Sequence, residues 1–412
     1  MTSVYLPSDL VMDIMSRVPG KSLARFRSVS KKIRSLLSHT SFLRLHHSRS
    51  RDFLFTLKAL KQERRYYYHV KYNFFVTNKS NGLIHEFMVV FAGHRFRTLS
   101  SHHQLLCFVC ESGIHLYDPV NKELKNLPEP WFSPWCFNKS DECLVSFGFV
   151  DATMQYKVVK WPHDLDEDRT RRLPSGLITT WKKVDLKFEV LNMDIMEDGR
   201  LNVSRWRRLR RPCPYLLQLS SQVHVNGFIY WTTSDFQIVS FSLQDEAFST
   251  INPKPPCFRL DIQGTKKTRF FTLSGIRGNL WMIDDDVRSQ IMEIWKMDET
   301  ASGGWAKMHK IDLGGTNPNK NDGKVQMLDI WSDQVLFKLI STRLLICYDA
   351  NTNTLENYGS ESGDYELCHS TDGLLSIHNL DMFNSSPHSS HPELKSFFFL
   401  PMMMKPTPAF LN

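Results

Sequence analysis

Residues 225–246 read VNGFIYWTTSDFQIVSFSLQDE, and their texture decides the fold. Two short runs rich in Phe, Ile, Tyr, Trp and Val are divided by small and polar residues. That is the chemistry of β-strands joined by turns. An aromatic–x–aliphatic marker, Phe241-Ser-Leu243, closes the second run and recurs along the chain. It is Phe188-Glu-Val190 upstream, Trp295-Lys-Met297 and Tyr348-Asp-Ala350 downstream, at intervals of 53, 54 and 53 residues. A second marker precedes it by 10, 14 and 11 residues: Gly227-Phe-Ile-Tyr-Trp231, Gly278-Asn-Leu-Trp281 and Gln334-Val-Leu-Phe337. Two markers keeping step over three units predict repeated antiparallel strand units.

A period near ~50 residues is the interval of kelch-type propeller blades. An earlier copy, Tyr117-Asp-Pro119, lies 71 residues before Phe188, and the excess of 18 roughly matches the polar stretch 162–176, read as a loop inserted in one blade. Asn81-Gly82-Leu83-Ile84 is expected to open the Tyr117 unit. The apolar runs Phe53–Leu57 and Ser396–Leu400 are expected to share one blade and close a ring of about six blades. The expected organisation is a helical module over 1–47, a connector with first strands over 48–80, the propeller over 81–376 and a linker with a candidate closing strand over 377–412.

The 412 residues carry a formal charge of +8, divided unevenly. Residues 1–80 hold 16 Lys and Arg against 4 Asp and Glu, which leaves the remainder at −4. The composition, 42% hydrophobic and 23% charged, excludes a mostly disordered chain. No run of ~18 apolar residues predicts a membrane span. The opening MTSVYLPSDL lacks the basic start and apolar core of a secretory signal. Eight cysteines at this length fit free thiols in an intracellular protein of the nucleus or cytoplasm.

The basic head reads as three short helices. Ser8 is expected to cap the first, from Asp9 to Val18, whose Leu10, Val11, Ile14, Met15 and Val18 form one apolar stripe. Pro19-Gly20 ends it. A second helix is expected over 22–28 with Leu23 and Phe26 facing inward, and a third from a Ser30 cap to Leu37. Three such helices bury little surface, so the apolar positions outnumber what the unit can hide and predict a partner interface. Leu6-Pro7-Ser8-Asp9-Leu10, Ile14 to Leu23 and Arg25-Phe-Arg-Ser-Val-Ser-Lys31 resemble the F-box of plant F-box proteins over residues 4–45.

The resemblance implies docking on a Skp1-type adaptor, and through it a cullin, by Leu6, Pro7, Leu10, Ile14, Val18, Pro19, Leu23 and Val29. Three positions depart from the family pattern: Asp13 for Glu, Ser28 for Cys and Ile33 for Trp. The last leaves a much smaller side chain to pack the third helix. The body, in Ser146–Val150, Tyr156–Val159, Phe188–Leu191 and Val225–Trp231, resembles the F-box-associated, kelch-like region of the same proteins. The implied function is that of a non-catalytic substrate receptor of a ubiquitin ligase, with a target protein held by the propeller. An adaptor-binding protein outside ubiquitin ligation, and a basic nucleic-acid binder, stand as alternatives.

Cys107-Phe-Val-Cys110 has no second pair at zinc spacing, and in a strand its thiols point to opposite faces. Asp284-Asp285-Asp286 reads as an exposed turn rather than a metal site. No P-loop, zinc-protease helix or nucleophile elbow occurs, so neither cofactor nor metal is expected. Arg205-Trp-Arg-Arg-Leu-Arg-Arg211 is the densest basic run; Arg205, Arg207, Arg208, Arg210 and Arg211 form a candidate basic patch. A solvated loop, an import signal and an acidic-partner surface are its three readings.

Overall fold

A computed structural model describes residues 7–49, 52–64, 67–78, 82–92, 98–102, 105–110, 113–118, 123–128, 145–160, 188–196, 200–215, 217, 222–233, 237–257, 269–298, 304–314, 325–331, 333–340, 344–360, 365–371 and 376–382. Two compact units form: Met1–Pro212 with Tyr365–Asn412, and Cys213–Asp364.

The first unit begins with α1 (Ser8–Met15), α2 (Gly20–Phe26), α3 (Lys31–Ser38) and α4 (Thr40–Arg49). Ser30 caps α3 as expected, its hydroxyl accepting the Ile33 N–H at 3.1 Å. Ser8 does not cap α1. Pro7 holds that place, with its carbonyl accepting the Val11 N–H at 3.1 Å, and Ser8 is the first helical residue. Pro19 plays the same part for α2, accepting Ser22 and Leu23 N–H at 2.9 and 3.1 Å. Proline's fixed φ suits both places, and its own missing N–H costs nothing there. The chain leaves α1 already at Met15, where the Ser16 hydroxyl donates to the Asp13 carbonyl at 2.8 Å.

A fourth helix, α4, extends the expected three. Its Phe42 and Leu43 are buried beside Leu23 and Leu37, and an imidazole N–H of His46 donates to the Val18 carbonyl at 3.0 Å. Met12, Met15, Val18 and Ile33 pack on this core, which continues into strands of the same unit.

Three sheets follow in the first unit. One has the order β25 (Tyr365–Thr371), β1 (Asp52–Arg64), β2 (Tyr67–Asn78), β3 (Gly82–Ala92). The second runs β4 (Thr98–His102), β5 (Leu105–Cys110), β6 (Gly113–Asp118), β7 (Glu123–Asn126). The third has β26 (Ser376–Met382), β11 (Arg200–Val203), β10 (Glu189–Ile195), β9 (Gln155–Lys160) and β8 (Val145–Val150), with β12 (Arg207–Arg208) also on β10.

Gly82 opens β3, facing Asn78 across a hairpin, and so belongs to the first sheet rather than to the Tyr117 unit. Phe53 and Leu57 lie opposite Ser370 and Glu366 of β25, so the early and late parts of the chain do share a sheet, but through a different late strand. Ser396–Leu400 lies outside the described residues. So does the stretch 162–176, whose flanks place it between β9 and β10.

The second unit has three four-stranded sheets in chain order: β13 (Val223–Val225) to β14 (Phe228–Thr232), β15 (Ile238–Ser242) and β16 (Ala247–Thr250); β17 (Arg269–Ile276) to β18 (Asn279–Asp286), β19 (Ile291–Met297) and β20 (Trp305–Asp312); and β21 (Val325–Trp331) to β22 (Gln334–Leu339), β23 (Leu344–Asp349) and β24 (Thr354–Ser360). The described strands thus gather into six sheets, three in each unit.

The repeat markers have a physical cause. The aromatic marker lies on or beside β6, β10, β15, β19 and β23, which are the third strands of their sheets in chain order. Its aromatic residue is always buried: Tyr117, Phe188, Phe241, Trp295 and Tyr348 are 8% exposed or less. The second marker falls on the second strands, and Trp231, Trp281 and Phe337 are 6% exposed or less. Fourth strands such as β20 are mostly exposed and carry no marker. Turn chemistry repeats too. Asn226-Gly227 and Arg277-Gly278 each place two residues at positive φ (47° and 79°, 52° and 69°) between strands one and two.

Equivalent positions also tie neighbouring sheets of this unit together. The Asn226 amide donates to the Gly278 carbonyl at 2.8 Å, and the Arg277 guanidinium grips both Asp329 oxygens at 2.9 and 3.1 Å.

Candidate functional site

The helical unit sorts its apolar residues onto two sides. Met12, Met15, Leu23, Leu37 and Phe42 turn inward. Leu10 and Ile14, one turn apart on α1, are 46% and 50% exposed. Val29, in the turn after α2, is 68% exposed and Phe26 is 37% exposed. Four of the eight large apolar side chains exposed among the described residues therefore belong to this one small module. Single exposed leucines need no explanation, whereas such a concentration does.

The sequence-derived docking set divides as follows. Leu10, Ile14 and Val29 face solvent; Pro7 and Pro19 are exposed helix starts; Val18 is half-buried on the core; Leu23 is fully buried; Leu6 lies outside the described residues. Phe26 was expected to face inward and does not. Helical phasing gave no warning of this, because residues three apart share a helix face.

Two arginines fix the geometry of this surface. Arg49 of α4 reaches Asp13 Oδ1 and the Ser16 hydroxyl, both at 2.6 Å, and so fastens α4 to the end of α1. Arg49, followed by Arg17, holds the Asp13 carboxyl below its usual range. Arg44 of the same helix donates to the Ala152 carbonyl at 2.6 Å, in the turn between β8 and β9. The helical module is thereby braced against the third sheet of its own unit.

The basic run is an ordered edge rather than a loose loop. Arg207 and Arg208 pair with Val190 and Glu189, and the Leu209 N–H donates to the Phe188 carbonyl at 2.8 Å. Trp206 is buried, its indole N–H donating to the Pro128 carbonyl at 2.7 Å. All five arginines of the run are exposed.

The aspartate triplet corrects another expectation. Asp284, Asp285 and Asp286 are not a turn: they end strand β18, and the first two are 1% exposed. Arg269 lies 3.2 Å from Asp284 and 3.8 Å from Asp286. Burial raises the Asp284 carboxyl to about 6 against the pull of Arg269. Among the described residues no group of three His, Cys, Asp or Glu side chains is placed to hold a metal ion. Cys107, Cys213, Cys257 and Cys347 are buried free thiols, and burial pushes the last three up, Cys257 to about 12. Such thiols are poor nucleophiles. No helix of the described residues is long and apolar enough to cross a membrane.

Comparison with known proteins agrees with this division. The F-box domain profile matches residues 5–45, and the profile described as "F-box associated beta propeller domain" matches residues 52–379. The chain is 26% identical over 380 residues to F-box protein At3g07870 of Arabidopsis thaliana, covering 84% of this chain and 85% of that protein. It is 25% identical over 329 residues to F-box/kelch-repeat protein At4g19930 of the same plant, covering 74% and 68%. Among solved structures, apo AztD from Citrobacter koseri aligns with a TM-score of 0.39 at 10% identity, over 77% of this chain and 98% of that one.

Proposed function

The chain belongs to the F-box-associated β-propeller family, and from that premise we propose that it is a substrate-recognition subunit of a Skp1–cullin–F-box ubiquitin ligase. The observation that carries the reading is the outward set Leu10, Ile14, Phe26 and Val29 on a helical module whose own core is already filled by Leu23, Leu37 and Phe42. Burying apolar surface of this kind on an adaptor supplies ~25 cal/mol for each Å² removed from water. The β body holds the target, and the module delivers it.

No side chain performs chemistry in this scheme. The contribution is effective concentration: a target tethered beside a ubiquitin-charged enzyme meets it far more often than a free one does. Bracing of α4 by Arg44 and Arg49 supports the reading, because a fixed module keeps the target-to-enzyme distance defined.

The test is co-purification of the full chain with a Skp1-type adaptor. Leu10→Asp combined with Ile14→Asp changes two exposed positions, so folding is retained while adaptor capture falls at least tenfold. Capture of the double variant at the wild-type level refutes the assigned face. Capture of adaptor without cullin would instead favour a role outside ubiquitin ligation.

A further inference from the structure

We propose that the edge formed by residues 205–211 is a docking surface for an acidic, carboxylate-rich segment of a protein partner. The proposal rests on the receptor reading above and names the chemistry of what the β body recognises. Residues 200–211 carry six arginines and no acidic residue, within a body whose net charge is −4. Arg205, Arg207, Arg208, Arg210 and Arg211 are all exposed. Arg208 lies beside Glu189, whose buried carboxyl is pushed up by burial and pulled back by Lys160 and Arg208. Arg205, Arg210 and Arg211 have no acidic partner among the described residues.

Order distinguishes this run from an ordinary solvated loop. The Ser204 N–H donates to the Asn192 carbonyl at 2.8 Å, the Asn192 N–H to the Ser204 hydroxyl at 2.9 Å, and Leu209 to Phe188 at 2.8 Å. Trp206 anchors the middle. Guanidinium forks held on a fixed backbone lose less freedom on meeting carboxylates than forks on a free loop, and they accept bidentate geometry. The same order argues against an import signal. A backbone committed to ladder bonds on both sides of Trp206 has to break them before a receptor groove can take it.

Nucleic acid is the competing anion. Single-strand binders interleave cations with aromatic faces on which bases stack. The one aromatic in this run, Trp206, is 4% exposed and bonded through its indole, so it offers no stacking face. What remains is a comb of cations without a platform, which suits carboxylates on an extended peptide.

The experiment uses the full chain in complex with its adaptor. Binding of a fluorescent twelve-residue Asp/Glu-rich peptide is measured by anisotropy at ~50 and ~150 mM salt, beside a single-stranded oligonucleotide of equal charge. Arg205→Glu with Arg210→Glu and Arg211→Glu is expected to weaken the peptide at least tenfold. A charge-matched control, Lys254→Glu with Arg288→Glu and Lys310→Glu, at three exposed positions, is expected to weaken it less than threefold. Equal weakening by both triples shows nonspecific attraction and overturns the proposal. So does an oligonucleotide that binds more tightly than the peptide. Adaptor capture by the arginine triple variant separates the two readings: retained capture with lost peptide leaves the receptor assignment standing, and unaffected peptide with retained capture removes this surface alone.

Discussion

Replacing Asp284 by Asn is expected to stabilise the protein at neutral pH. Asp284 lies near the end of β18, is 1% exposed, and faces Arg269 at 3.2 Å. Its carboxyl ordinarily titrates near 3.8 but is raised to about 6 in the fold, first by burial and against Arg269, with Glu293, Asp286 and Asp285 adding repulsion. A folded value above the unfolded one means that the native state holds the proton more tightly. Stability from this group is therefore complete below pH ~4 and is lost as pH rises through about 6. At ~1.4 kcal/mol per pH unit of displacement, the ionised carboxylate costs the fold about 3 kcal/mol at pH 7.5 and about 1 kcal/mol at pH 4.5.

Asn keeps the shape and an oxygen for Arg269 while removing the charge. The assay is urea unfolding of the full chain followed by tryptophan fluorescence. With a slope of ~3 kcal/mol per molar, the midpoint of Asp284→Asn lies about 1 M above wild type at pH 7.5, and the gap shrinks to about a third at pH 4.5. A variant less stable than wild type at pH 7.5 would refute the reasoning and show that the Arg269 pair outweighs burial; a gap independent of pH would refute it by showing that ionisation of Asp284 is not its source.

Three further outcomes follow from the same packing. A Cβ on Gly275 would meet the His224 carbonyl oxygen at 2.6 Å and Val223 Cγ1 at 2.7 Å, so Gly275→Ala lowers stability by about 1–3 kcal/mol in the same assay; an unchanged midpoint would mean that the two sheets separate freely. Arg277→Ala takes the guanidinium from a 2%-exposed Asp329 carboxylate that keeps the Ile330 N–H, and costs about 2 kcal/mol, whereas Arg277→Met with Asp329→Leu recovers part of that loss; a double change no better than the single one contradicts the account. Ile33→Trp adds apolar area at a half-buried position packed on the helical core and raises adaptor affinity severalfold by calorimetry. Unchanged affinity would show that isoleucine already fills that place.

Legibility in the sequence followed burial. Strands such as β14, β15 and β18 are buried along nearly their whole length, so their sequences are rich in apolar residues and the repeat could be counted directly. The four-residue β16 and the largely exposed β20 are constrained on one face at most and left no marker.

Pairing between distant parts of the chain was a different problem. Phe53–Leu57 is an apolar run that fits several partners equally well, and nothing local specifies β25 over the SFFFL at 396–400. Asp284 and Asp285 were misread because three consecutive carboxylates resemble a solvated turn. Only the register, with Phe271 and Glu293 on either side of Asp284, shows a strand running on into the core. The outward Leu10 and Ile14 were legible as surplus apolar surface, and Leu23 is buried as helical phasing suggests, whereas Phe26 on the same phasing is 37% exposed.

Net charge proved to be a poor guide to ligand because the same side chain serves two kinds of work. Residues 1–80 hold most of the excess positive charge, yet Arg44 and Arg49 there are spent on internal bonds to Ala152, Asp13 and Ser16. A guanidinium committed to a carbonyl and a carboxylate at 2.6 Å gives a partner little beyond diffuse attraction, which salt screens within ~10 Å. The opposite holds at residues 205–211, in the part of the chain with net negative charge. There the backbone bonds are satisfied by the sheet and the buried Trp206, which leaves the arginines to face outward. Recognition by charge in this protein is therefore to be sought at residues 205–211, where Arg205, Arg210 and Arg211 are exposed and have no acidic partner among the described residues.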